Sequence, residues 1–82
     1  MAKKVDYYGK VSEVIAKFFL IDQSTLTRET GMVTDLGAKS VITMQIMSEL
    51  EDDMDVTLNF MQFKRLKTVG EIADYLQDAC EN

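Results

Sequence analysis

Eighty-two residues make one small domain, 1–82 with a core from about residue 5 to 77, and a chain of this size buries only about 60% of its unfolded surface. Hydrophobic residues at 46% and charged residues at 28% are ordinary for a soluble globular chain. Nine basic against fourteen acidic side chains give a net charge of −5, which lacks the basic surface that phosphate backbones require, so no nucleic-acid partner is expected and partners with basic patches are favoured.

The chain opens on Met1-Ala2-Lys3-Lys4 and passes directly into polar, helix-forming sequence. With no apolar run of signal or spanning length, no membrane insertion is expected and the cytoplasm is the expected compartment. Four glycines and no proline favour helices over strands. The first helix is predicted from about Asp6 to Leu20. Val11, Val14, Ile15, Phe18 and Phe19 supply its apolar stripe at helical spacing, while Lys10, Glu13 and Lys17 face water. Tyr7 and Tyr8 extend the packing at its start, and Gly9 weakens the first turns. From Asp22 to Lys39 the chain reads as a long loop, interrupted by Ser24, Thr25, Thr27, Thr30, Gly31, Thr34 and Gly37; a loop of that length inside a compact domain often signals function. Leu26, Met32, Val33 and Leu36 are placed to pin it to the core, with Leu26 in a short helical turn.

The second helix is predicted to begin at Ser40 or Val41 and to end near Met54. Ile46, Met47, Leu50 and Met54 form its apolar stripe. At about 100° per residue, Val41 and Met44 fall off that stripe on the side nearer Ser40. There they are either scattered surface apolar groups or part of a partner-docking surface. A short third helix follows Asn59, a good N-cap, through Phe60, Met61, Phe63 and Leu66. The last helix starts at Thr68-Val69-Gly70-Glu71, where Thr68 and Glu71 can form a capping box, and buries Val69, Ile72, Ala73, Tyr75 and Leu76. Cys80 is alone near a tail expected to fray, so there is no disulfide framework. The reading is all-α: a small four-helix bundle with a long loop between helices I and II and a short helix III. It is expected to be a monomer, since no helix has a second long apolar face.

Ser40 stands apart in this frame. It lies in Asp35-Leu36-Gly37-Ala38-Lys39-Ser40-Val41 at the mouth of the second helix, in a chain with no histidine, no glycine-rich phosphate loop and no metal-ligand cluster. A lone serine without a base is not an activated nucleophile. No catalytic residue is therefore assigned, and Ser40 reads as a residue that another enzyme modifies. The acids Glu49, Glu51, Asp52, Asp53 and Asp55 gather at the far end of the second helix, the less favourable end for negative charge by about 0.3–1 kcal/mol per exposed group. They lack the glycine and ligand pattern of an EF-hand loop. No metal is assigned to them; they read as a solvated face or a docking surface.

Together these segments closely resemble the acyl carrier protein family. Its signature is Asp-Leu-Gly-x-Asp-Ser-Leu leading into an acidic helix, with 4′-phosphopantetheine on the serine. Asp35-Leu36-Gly37-Ala38 matches, Ser40 falls on the modified serine, and Val41 replaces the leucine. Glu49-Leu50-Glu51-Asp52-Asp53-Met54-Asp55-Val56 resembles the acidic end of the family's helix II, and Thr68-Val69-Gly70-Glu71-Ile72-Ala73-Asp74-Tyr75-Leu76 its final helix. The likeness runs from about Val5 to Leu76 and implies a bundle of the acyl-carrier type that is not an enzyme. A phosphopantetheinyl transferase would move the arm from coenzyme A onto Ser40, and the arm's thiol would hold an acyl group as a thioester. Acyl-loading and acyl-using enzymes of fatty-acid, lipid or polyketide-type biosynthesis would be its partners. The resemblance also implies an apolar acyl cavity. By position, Val33, Ile46, Leu50, Leu58, Phe63, Leu66 and Leu76 are its candidates, with plain core as the alternative for each. Lys39, Val41, Met44, Glu51 and Asp55 are the docking candidates.

The chain departs from the family pattern in three places. Lys39 stands where an aspartate is usual; a lysine neither caps the helix nor complements its positive end, and the lost cap costs about 0.5–2 kcal/mol unless Ser40 itself caps. Ile42 and Gln45 occupy first-turn places where the family displays acids, and Lys64, Arg65 and Lys67 make helix III unusually basic. These departures point to a specialised carrier serving a dedicated pathway. They leave one alternative open, a carrier-like helical interaction module that is never primed, with Lys39 as its main support.

Overall fold

The first helix forms because its start is capped and its stripe is continuous. In the computed structural model, which describes residues 5–81 and leaves Met1-Ala2-Lys3-Lys4 and Asn82 outside the described residues, α1 spans Tyr7–Phe19. The Gly9 N–H donates to Asp6 Oδ1 at 2.9 Å, closing the first turn. Leu20, in the left-handed conformation at φ 57, ends the helix with its N–H on the Ala16 carbonyl. Val11, Val14 and Ile15 are buried as the stripe predicts, and Phe18 and Phe19 are partly buried. Ser12 is buried too, which apolar periodicity does not foresee. Its hydroxyl donates to the Gly9 carbonyl at 3.1 Å and receives Gln23 Nε2 at 2.9 Å, so its polar atom is satisfied.

A 3₁₀ turn at Gln23–Thr25 follows, with Asp22 accepting the Ser24 N–H at 2.9 Å. Leu26 ends this turn rather than lying within it, and is buried. The long connection is a stitched segment, not a slack one. Met32 N–H bonds the Lys67 carbonyl at 2.8 Å, Val69 N–H bonds the Thr30 carbonyl at 3.0 Å, and Gly31 and Thr68 form an isolated antiparallel bridge. Gly70 N–H reaches the Arg28 carbonyl at 2.9 Å. Only glycine permits that approach, because a Cβ there would come within 2.9 Å of the same oxygen. Leu26 and Met32 do pin the loop, and Leu36 is half-buried. Val33 does not: it is 70% exposed. The Gly31–Leu36 turn, where Asp35 and Leu36 both donate to the Gly31 carbonyl, turns Met32 inward and its neighbour out.

The second helix, α2, spans Ser40–Met54, with Ile46, Met47 and Leu50 buried and Met54 half-buried. α3 is one turn, Phe60–Phe63, capped by Asn59 Oδ1 on the Gln62 N–H at 3.1 Å. It ends before Leu66, which lies in the following turn. α4 spans Val69–Glu81. Its Thr68 Oγ1 accepts the Glu71 N–H at 3.2 Å, while Glu71 Oε1 reaches back to the Lys67 N–H at 2.7 Å, one residue beyond the Thr68 amide of an ideal box. The tail does not fray at Cys80. α4 continues through Glu81, and the Tyr7 hydroxyl donates to Glu81 Oε2 at 3.0 Å. Burial pushes the partly buried Cys80 thiol above its ordinary pKa, so it is a poor nucleophile.

α1 packs chiefly against α4 and next against α2, and α3 packs on α2. Phe63 meets Tyr75 edge-on at 6.3 Å between ring centroids. The architecture is the all-α, four-helix bundle with a long first connection that the sequence pattern indicates; no strand occurs among the described residues.

Candidate functional site at the start of the second helix

The approach to Ser40 is fixed by its preceding loop. Asp35 Oδ2 accepts the Gly31 N–H at 2.6 Å, so this carboxylate shapes the loop. Gly37 has φ +66, a left-handed conformation that glycine adopts without a Cβ penalty. Ala38 is buried, and its N–H bonds the Met32 carbonyl at 2.9 Å, anchoring the chain two residues before the serine. Ser40 is then the first residue of α2 and is exposed.

Lys39 occupies the N-cap position in extended backbone, φ −101 and ψ 167, and provides no side-chain cap. Ser40 does not substitute for it, because it already belongs to the helix. No acidic residue lies in the first turn either. The positive end of α2 thus has no side-chain cap and no acid in its first turn, and an anionic group on Ser40 would be favoured there by about 0.3–1 kcal/mol. The chain has no histidine to activate the hydroxyl.

Val41, Met44, Ser48 and Asp52 run down one face of α2 at helical spacing, and all four are exposed, Val41 at 70% and Met44 at 48%. Met44, Gln45, Ser48, Glu49 and Asp52 line a shallow depression with Phe18 of α1. Asp55 stands exposed at the end of this face, closing α2 in the left-handed conformation at φ 51. Ser48 was not singled out in the sequence, and Asp52 stood there only within the acidic cluster. The signal for placing both on the Met44 face was present, since they follow Met44 by one and two helical turns.

The acidic cluster does not act as one surface. Glu49 pairs with Lys17 at 2.7 Å and Asp53 with Lys10 at 3.1 Å, clamping α2 to α1. Hydrogen bonds to these carboxylates hold both ammonium groups above their ordinary pKa. Glu51, a docking candidate, is half-buried and accepts the Leu58 N–H at 2.7 Å, fixing the α2–α3 turn. Asp52 and Asp55 are the acids left on the open face.

The seven cavity candidates are not brought together. Ile46, Leu50 and Leu76 at 0%, Phe63 at 1% and Leu58 at 7% exposure belong to the core. Val33 and Leu66 instead line a groove of about 700 Å³ between the loop and the α3–α4 connection, with Lys64, Arg65 and Lys67 along it. The groove lies beside the loop that leads to Ser40.

Comparison with known proteins is consistent along almost the whole chain. Residues 9–76 match the family described as "Phosphopantetheine attachment site". The acyl carrier protein of Thermotoga maritima is 27% identical over 77 residues, covering 94% of this chain and 95% of that protein. That of Exiguobacterium sibiricum is 36% identical over 67 residues, covering 82% and 85%. That of Lactobacillus acidophilus is 26% identical over 72 residues, covering 88% and 90%.

Proposed function

The chain belongs to the phosphopantetheine-attachment family of acyl carrier proteins, and on that premise we propose that its 4′-phosphopantetheine arm is carried on Ser40. The observation that carries this reading is the position of an exposed hydroxyl on the first residue of α2, at the end of an anchored loop. The residues around it suit the arm's phosphodiester. The start of α2 lacks an acceptor, and Lys39 adds a cation beside it. Lys39 then acts as a counter-ion to the attached phosphate rather than as a missing cap.

The arm supplies a terminal thiol on which an acyl group is held as a thioester. The chain's own residues perform no bond-making step; they present the arm and are read by partners. A phosphopantetheinyl transferase loads Ser40 from coenzyme A, and acyl-loading and acyl-using enzymes dock on the exposed ridge of α2. Val41, Met44, Ser48, Asp52 and Asp55 form that ridge with Lys39 at its head, while Glu51 serves the fold. The protein works as a monomer in the cytoplasm and serves a dedicated pathway, because its cation before the serine sets it apart from the usual acidic approach.

Intact mass after incubation with coenzyme A and, separately, a narrow-specificity and a broad-specificity transferase tests the assignment. The expected result is a gain of one phosphopantetheine that disappears in Ser40→Ala. Loading by the broad enzyme alone would identify Lys39 as a selectivity element. A folded wild-type chain that gains nothing from either enzyme would favour the unprimed interaction module instead.

A further inference from the structure

The groove beside the loop has the opposite charge to the protein that contains it. A chain of net charge −5 places Lys64, Arg65 and Lys67 along one groove, against a single lining carboxylate, Glu29. Elsewhere in the described chain, Lys10, Lys17 and Arg28 are held in ion pairs. Lys64 lies 6.0 Å from the centre of the Phe60 ring, whereas Arg65 and Lys67 are exposed and make no ion pair among the described residues. The same groove exposes apolar surface, with Val33 70% accessible and Leu66 half-buried. Its volume of about 700 Å³ falls within the range of small-molecule pockets. Its loop wall is close to Ser40 along the chain: the Ala38 N–H bonds the carbonyl of Met32, the residue before Val33.

We propose that this groove seats the far end of a carboxylate-terminated acyl group carried on the chain's own arm. Its methylenes lie on Val33 and Leu66, and its terminal carboxylate meets Arg65 and Lys67. A guanidinium suits this task because its fork matches a carboxylate in geometry as well as charge. A concave apolar floor beside exposed cations fits a short anionic chain better than it fits a neutral acyl tail, which would gain nothing from the cations. The inference rests on the Ser40 reading for its tether, but the two separate in one experiment.

The protein is loaded by a broad-specificity transferase from glutaryl-coenzyme A or from pentanoyl-coenzyme A, acyl groups of equal length that differ in the terminal carboxylate. Intact mass first establishes loading on the wild type and on the Arg65→Gln/Lys67→Gln double variant. A chain that takes no load overturns the Ser40 reading, and this inference with it. On loaded protein, NMR follows the Val33 and Leu66 methyl groups and the Arg65 Nε–H. The glutaryl load is expected to shift all three, and the pentanoyl load to leave the Arg65 signal in place. A ¹³C-labelled terminal carboxyl titrates roughly 0.5 pH lower on the wild type than on the double variant, a difference that about 0.5 M salt removes. Equal Arg65 responses to the two loads, or one titration midpoint for both proteins, would overturn the proposal. So would a groove that responds only when an acyl-using enzyme is added, which would assign it to a protein partner.

Discussion

α1 and α2 are of similar length, thirteen and fifteen residues, but they meet the rest of the chain differently. α1 has its first turn capped by Asp6 and buries Tyr7, Val11, Ser12, Val14, Ile15 and Ala16. α2 begins at an uncapped Lys39 and buries only Ile46, Met47 and Leu50. Its other faces are spent on ion pairs to α1 and on an exposed apolar-to-acidic ridge. The difference separates two tasks. α1, with α4, supplies the stability, and α2 is held against them by a narrow stripe so that the rest of its surface and its first residue stay accessible.

Single truncations should separate the two roles by the widest margin. Leu76→Ala in α4 removes a side chain with 0% exposure and is expected to cost about 2–5 kcal/mol in urea unfolding. Met44→Ala on the α2 ridge is expected to stay within about 0.5 kcal/mol of the wild type. The same Met44→Ala protein, fully primed, should pass its acyl group to a partner enzyme more slowly. Normal transfer by both Met44→Ala and Val41→Ala would remove the ridge as a docking surface.

The start of α2 offers a smaller effect, in its missing cap. Lys39 already has extended N-cap backbone, so Lys39→Asp needs only a side chain to complete the cap. It should stabilise the apo protein by about 0.5–2 kcal/mol, or about 4–8 °C in Tm for each kcal/mol in a domain of this size. Priming should stabilise the wild type as well, by about 0.3–1 kcal/mol, since the phosphodiester brings an anion to the same helix end. In Lys39→Asp that second gain should shrink, because the new carboxylate already occupies the site and repels the phosphate. Melting curves of four species, apo and primed for each protein, measure the coupling directly. Equal gains on priming in both proteins would show that the phosphate does not act on the end of α2.

This division also marks what was legible in the sequence. The buried stripes of α1 and α4 repeat at helical spacing, and Asp6, Asn59 and Thr68 are residue types whose short side chains cap locally, so elements and caps follow from neighbours in the chain. The start of α2 at Ser40 was legible in the residues around it. The turn that exposes Val33 was not, because it depends on backbone bonds from residues 30 and 32 to Lys67 and Val69, far along the chain. The same applies to the acids. Composition shows five carboxylates in seven residues, but only the fold shows that Glu49 and Asp53 answer Lys17 and Lys10 while Glu51 holds Leu58. Ser12 is the converse case, a buried polar residue whose hydroxyl is satisfied by Gln23 from the next element.

The α1–α2 clamp gives the smallest expected effect and a distinct pH signature. Lys10 is held above its ordinary 10.5 first by its hydrogen bond to Asp53 and then by Glu13, and Lys17 by its hydrogen bond to Glu49. A cation whose pKa is raised on folding contributes stability that is fully present below the unfolded value and is lost as the pH climbs through the folded one. The wild type should therefore exceed Lys10→Met/Lys17→Met slightly at neutral pH, since both bridges are partly exposed and worth little. The margin should close as the pH rises past about 10.5, and added salt at neutral pH should close it too. Urea midpoints of the two proteins, compared from about pH 7 to about pH 12, measure it. A margin that persists at the alkaline end would mean that the lysine stems hold α2 by packing on α1 rather than by charge, and would move the attachment of α2 from its ion pairs to its narrow apolar stripe.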